Sequence, residues 1–369
     1  MLLVFLAHFV EACGRAFPNR GHAFNLVTRV ASPAFVWISG VTLAVLYTKS
    51  ADWLKRTRDK LIDRALFLLL VCHPVIVGAY LMKVPSWHDA LRVVFITDTV
   101  ALCLVVGVLL IPRLASRPRA ALGLALMLAS WTLMVVWNPP LNGWAWRIKD
   151  TLVGDWRDHW ATYNFTPIPW MGFYLIASAA GAWFMRSRDA GRQRRVGWIA
   201  AAFGVGGIAA AKALEIGWRA AAHLSAVHGY EAPLALLASP EKVPPTPVYF
   251  LRYGGMALIL FALVLAASDS VRGQRLVRWA QLFGRCSVAT FVLQYYVYCG
   301  LIQHLETPSA PWLPLHFAWT VVLIWLVIRA WEGANGNRFI TVGYPQFVQR
   351  LRRRRQVDRS ASGADANAA

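Results

Sequence analysis

Acidic side chains are scarce in this chain. Its 369 residues hold 18 Asp and Glu against 38 Lys and Arg, a formal net charge of +20, yet charged residues make up only 15% of the total. Such a balance suggests nucleic acid, but no stretch pairs basic residues with the interleaved aromatics of a nucleic-acid module, so no nucleic-acid partner is expected. Cysteine is also sparse. The five residues Cys13, Cys72, Cys103, Cys286 and Cys299 show no CxxC spacing and mostly lie in apolar runs, so they read as small core hydrophobes. A disulfide framework is thereby set aside and no metal is expected. No internal repeat is visible, which weakens an inverted-repeat transporter reading.

What the chain has in abundance is apolar sequence: 57% hydrophobic residues and 18 Trp, with a mean hydropathy of +0.46. Ten apolar blocks can be read, at 1–12, 26–48, 65–82, 93–112, 120–137, 167–185, 196–217, 247–267, 286–303 and 313–330. The gaps between them alternate in charge. Lys plus Arg number six in 49–64, three in 113–119, five in 186–195, four in 268–285 and seven in 331–369. The intervening gaps hold two, two, three, two and none. Basic loops stay on the cytoplasmic side, so the pattern predicts an all-α polytopic membrane protein with both termini cytoplasmic. The expected architecture is about ten transmembrane helices around a central cavity. Residues 1–335 form that domain, and 336–369 a basic cytoplasmic tail whose last ten residues, Ser360 to Ala369, have too little apolar mass to order. Arg352 to Arg355, with Lys55, Arg56 and Arg58, suit anionic lipid headgroups. The first block has no basic region before it, and His8 and Glu11 interrupt it. It is expected to be a short or clipped first helix rather than a signal peptide.

Two gaps on the non-cytoplasmic side are long, 138–166 and 218–246, and rich in aromatic and ionisable residues. Loops of that composition are expected to be ordered and functional. Ionisable residues inside apolar blocks are costly and therefore candidate sites. Lys212 and Glu215 lie one helical turn apart and can neutralise each other. Arg329 can snorkel, and His73 and His316 read as core histidines. Asp98 either caps a helix or binds a cation. His8, His22, Arg29 and Arg252 fall at one membrane depth, with Glu11 one turn beyond His8. A histidine beside a carboxylate can remove a substrate proton, and an arginine suits an anionic group or oxyanion.

Three segments carry a resemblance. Leu26 to Val41, with Arg29, Pro33, Phe35 and Gly40, looks like the second helix of integral-membrane acyltransferases. Among these it is similar to the bacterial relatives of heparan-α-glucosaminide N-acetyltransferase. Thr166-Pro167-Ile168-Pro169-Trp170-Met171-Gly172 resembles that family's PxPWxG helix start, and Leu282 to Tyr295 its late Gly-Arg-x-Ser segment, with Gln294-Tyr295 where Leu-His often stands. The resemblance runs over about residues 1–330. It implies transfer of an acyl group, usually acetyl from acetyl-CoA, to a sugar hydroxyl or amine, in the inner membrane of a bacterium. It places the essential histidine at His22 by one branch, or at His8 by the related acyltransferase-3 branch. The arginine which that second branch carries upstream on the first helix has no counterpart here.

The expected function is therefore a membrane-embedded acyltransferase, with acyl-CoA as co-substrate and a glycan or lipid-linked sugar as acceptor. His22 or His8, supported by Glu11, is the expected catalytic group, and Arg29, Arg252, Asp98 and Trp170 are expected to meet substrate. Trp144, Trp146, Trp156 and Trp160 are further candidates to stack on sugar rings. Arg56, Arg58, Arg117 and Arg194 are expected to hold the CoA phosphates. Self-association is left open. The rival reading is a transporter or flippase for a polar or anionic solute, whose intramembrane charges line a path.

Overall fold

The computed structural model describes residues 1–13, 28–48, 51–82, 86–161, 165–189, 193–224, 231–267, 271–305 and 312–350. Among them there is no strand, and helices follow the apolar blocks closely. They are α1 (Leu2–Ala12), α2 (Ala31–Thr48), α3 (Ala51–Phe67, continued through a π turn Leu68–Cys72 into His73–Leu81), α4 (Trp87–Ala90) and α5 (Ile96–Leu110). Then come α6 (Ser116–Val136), α7 (Trp144–Leu152), α8 (Pro167–Asp189), α9 (Gln193–Leu224), α10 (Glu231–Leu237) and α11 (Pro247–Ala267). The chain continues with α12 (Val271–Arg285), α13 (Ser287–Tyr295, with a π turn Tyr296–Leu301) and α14 (Leu313–Gly333).

Among the described residues, six helices are long and apolar enough to cross a membrane: Thr57–Leu81, Ser116–Val136, Pro167–Ser187, Arg194–Ala221, Pro247–Ala267 and Leu313–Gly333. This is a set compatible with a multi-pass membrane protein. Three more apolar helices, Leu2–Ala12, Ala31–Tyr47 and Ile96–Leu110, are shorter, and the block at 286–303 becomes α13 with its π turn.

Small residues set the closest crossings. A Cβ at Gly123 of α6 would lie 2.5 Å from the Gly172 carbonyl oxygen of α8, and one at Gly204 of α9 would lie 2.6 Å from that of Gly255 on α11. Only glycine lets these backbones touch, which is how helices associate where burial from water offers no drive. The long helices thus form two tight pairs, α6 with α8 and α9 with α11. Two larger cores hold most of the rest. One joins α2, α3, α5, α8 and α11 around Val36, Ile76, Phe95, Trp170 and Tyr249. The other packs Phe5 and Phe9 of α1 against Phe283, Tyr298 and Ile324.

The π turn in α3 has a sequence cause. Pro74 has no N–H to give to the preceding turn, so the backbone widens there and re-forms its ladder beyond. The second π turn, in α13, lies alongside: the Tyr296 hydroxyl donates to the Val75 carbonyl at 2.9 Å. This join fixes the wall of the cavity described next.

Candidate functional site

A cavity of about 140 Å³ lies among α1, α2, α3, α5 and α13, at the helix ends that the charge pattern assigns to the exterior. Val4, His8 and Glu11 of α1 recur at intervals of four and three residues, so one stripe of this helix faces the cavity. Phe5 and Phe9 on the adjacent stripe go into the core against Phe283 and Tyr298. His8 Nδ1 is 3.6 Å from Glu11 Oε2, an ion-pair distance too long for a good hydrogen bond. The imidazole lies against the Tyr295 ring at 4.8 Å between centroids. Phe35, Tyr80, Phe95, Phe165 and Phe291 complete an aromatic wall, and Thr28, Ser32 and Gln303 add polar groups.

Lys242, from the stretch before α11, also lines this cavity. Its ammonium stands over the Phe165 ring, 4.6 Å from the centroid. Burial lowers its pKa to about 8, the attraction of Glu11 acting against the fall and the repulsion of Arg29 adding to it. A lysine poised near neutral pH beside a histidine and a carboxylate is an uncommon grouping outside functional sites.

Behind the aromatic wall, His73 Nδ1 is 2.8 Å from Asp98 Oδ2, and the same carboxylate oxygen accepts the Phe95 N–H at 2.9 Å. Asp98 therefore caps α5, one of the two roles its sequence position allowed, and ties that cap to the residue following the α3 π turn. Phe95, held in this way, packs its ring against His73, Tyr80 and Tyr295.

The other candidates are dispersed. Arg29 stops short of the cavity lining and braces the stretch that carries Lys242: its Nη1 donates to the Pro240 carbonyl at 2.9 Å, and its Nη2 is 3.7 Å from Glu241. Arg252 does not join His8. Its Nη2 bonds Glu215 Oε2 at 2.8 Å, and the same carboxylate also takes Arg219 at 2.8 Å and Lys212 at 3.3 Å. The common-depth argument fails here because depth along a helix does not fix which way the side chain points. Trp170 is fully buried between Phe165, Phe173, Tyr249 and Phe250, so no substrate ring can reach its face. Arg58, Arg117 and Arg194 are exposed at the opposite ends of the helices. His22 and the side chain of Arg56 lie outside the described residues.

The long loop at 138–161 is built on buried carboxylates. Asp155 meets Lys149 at 3.0 Å and takes Arg157 in a fork at 3.0 and 2.8 Å. Burial pushes its carboxyl up, but these two cations hold it below the usual range. Asp150 accepts the Trp160 and Ala161 N–H groups at 2.8 and 2.9 Å and His159 at 3.1 Å. The tryptophans of this loop divide: Trp146 is buried and Trp144 exposed, while Trp160 is flanked by Arg92 and Arg147.

Lys242, Tyr295 and Tyr298 are among the cavity residues that sequence reasoning did not single out as a site. Tyr295 stood in the Gln294-Tyr295 step of the late segment, the one signal available for it. Comparison with protein-family models, characterised proteins and solved structures finds no match to this chain.

Proposed function

We propose that this chain is a membrane-embedded acyltransferase, moving an acyl group, acetyl in the simplest case, from acyl-CoA to a hydroxyl or amine of a glycan or lipid-linked sugar. The observation that carries this reading is the cavity where His8, Glu11 and Lys242 converge within an aromatic wall. Its 140 Å³ is below the roughly 300–1,000 Å³ of a pocket that encloses a whole drug-sized ligand. It suits a reacting end, an acetyl group meeting one edge of a sugar, with the rest of both substrates outside.

In this reaction the acceptor O–H or N–H gives its proton to His8 Nε2 while its heteroatom attacks the thioester carbonyl carbon. Glu11, on the Nδ1 side, steadies the imidazolium. The Lys242 ammonium offsets the charge on the carbonyl oxygen as the tetrahedral intermediate forms. Collapse breaks the carbon–sulfur bond, and the CoA thiolate recovers the proton from the imidazolium. Aromatic side chains around the site supply a face for a sugar ring and keep water out. Arg58, Arg117 and Arg194 lie at the helix ends opposite this cavity, so they, with Arg56, are proposed to attract CoA phosphates on the cytoplasmic side rather than to seat them during transfer. The proposal includes ten crossings, with α1, α2, α5 and α13 added to the six long spans, both termini cytoplasmic, in a bacterial inner membrane. Support comes from the alternation of basic and non-basic gaps.

Purified protein titrated with acetyl-CoA and with free CoA tests this directly. The expected outcome is a saturable rise in unfolding temperature with both ligands, and label from acetyl-CoA appearing on a glycan acceptor in membranes. Absence of both would remove the enzyme and leave solute transport as the reading.

A further inference from the structure

The two tight helix pairs do not close on each other. Between α6 and α9, with α8 and α11 as floor, runs an apolar cleft of about 1420 Å³. Leu128 and Phe203 form its rims and Ile176 and Leu258 its base, all on helices long and apolar enough to cross a membrane. At the loop end the lining runs on to Val136, Trp218, Leu234 and Leu237, past Trp131, whose Nε1 donates to the Pro245 carbonyl at 3.0 Å and whose ring meets Phe250. At the other end the lining comes down to Trp183 and Val196. Beside these stand the exposed Arg186 and Arg195. In sequence, 110–120 and 183–200 hold eight arginines and one acid, Asp189, and Arg186 Nη2 donates to Ser116 Oγ across the two at 3.3 Å.

We propose that this cleft is a binding site for one anionic phospholipid of the leaflet at the arginine end, its acyl chain lying between α6 and α9 and its phosphate between Arg186 and Arg195. Water has no partners along an apolar lining, and an empty cleft would forfeit the dispersion contacts of every side chain that faces it. In a bilayer the occupant at hand is a hydrocarbon chain. The charge at the open end selects the headgroup: arginine forks match phosphate oxygens, and cations near an anionic lipid surface each strengthen attachment. The position of Arg186 and Arg195 at the opposite end sets the direction of the lipid, chain ends toward the loops. Basic residues lie in every gap assigned to the cytoplasm, but at this one they stand at the mouth of a slot.

Gly206 gives a clean way to fill the slot, because it lines the cleft and a Cβ added there meets no atom within 4 Å. The full chain, reconstituted in nanodiscs of equal phosphatidylglycerol and phosphatidylcholine, is released and examined by native mass spectrometry. One retained phosphatidylglycerol per chain is expected for the wild type. Gly206→Phe should lose it while unfolding at the wild-type temperature. Arg186→Gln with Arg195→Gln should keep a lipid but lose preference for the anionic one, by about fivefold for each arginine. Arg338→Gln, outside the cleft, should match wild type. Four results overturn the proposal: no retained lipid, equal retention of both lipids, retention unchanged in Gly206→Phe, or a dimer of the chain in place of the lipid. None of these bears on acyl transfer, which has its own readout.

Discussion

In the 138–161 loop, Lys149 and Asp155 are both shut off from solvent and sit 3.0 Å apart, with Arg157 forked onto the same carboxylate. In the cavity, His8 and Glu11 are 3.6 Å apart and partly exposed. Among the described residues Lys242 forms no ion pair within 4 Å and rests on an aromatic face instead. The first group uses up its hydrogen-bonding capacity internally. Buried charges persist in that state because each one satisfies another, and their removal is felt as lost structure. The second group is held near one another by helix stripes and a loop, and all three side chains line a cavity. Ionisable residues are costly in both places; the difference is that one set is packed inside the fold and the other faces a space a substrate can enter.

The largest effect expected from this contrast is on stability. Asp155→Asn leaves Lys149 buried without its counter-ion, at a cost of about 3–5 kcal/mol. The measurement is thermal unfolding in detergent, and a midpoint within a degree of wild type would mean that the loop is not held by this pair. The counterpart is His8→Gln. It should lower acyl transfer by about a hundred- to ten-thousand-fold, the usual contribution of a general base. Its unfolding midpoint should shift far less than that of Asp155→Asn. A variant that unfolds easily yet turns over normally would place His8 with the scaffold.

Much of this contrast is readable in sequence, and the unreadable part has a physical reason. Helices could be placed because apolar runs bounded by charge leave few alternatives; the π turn in α3 was not foreseen, although Pro74 stands beside it. His8 and Glu11 stood out because two ionisable residues one turn apart interrupt an apolar run. Glu215 was paired with Lys212 on the same one-turn rule, and that pair forms at 3.3 Å. The rule is silent on Arg252, which arrives from another helix, and this is why Arg252 was assigned to the wrong neighbours. Trp170 misled for a related reason: one tryptophan buried on all sides is indistinguishable, in sequence, from its interfacial counterparts. Lys242 reaches the cavity through a loop path that no periodicity encodes.

Lys242 gives the smallest and sharpest test of the comparison. Because burial lowers its pKa from 10.5 to about 8, the ammonium is present at neutral pH and lost as pH rises through about 8. If it stabilises a developing oxyanion, kcat/KM falls on the alkaline side with an apparent pKa near 8. Lys242→Met should then be slower at pH 7 by about tenfold, less than the hundredfold or more for removal of an enclosed oxyanion donor, and should lose the alkaline limb. Stability moves in the opposite direction. The folded chain gives up this proton more readily than the unfolded one, so between about pH 8 and 10.5 the unfolded state binds more protons and stability rises with pH. Lys242→Met should abolish that rise and stabilise the protein at neutral pH. The paired Lys149 offers no such trade, since truncating it strands Asp155. A Lys242→Met variant less stable than wild type at pH 7, with an unchanged rate profile, would show that this lysine belongs with Lys149 as scaffold.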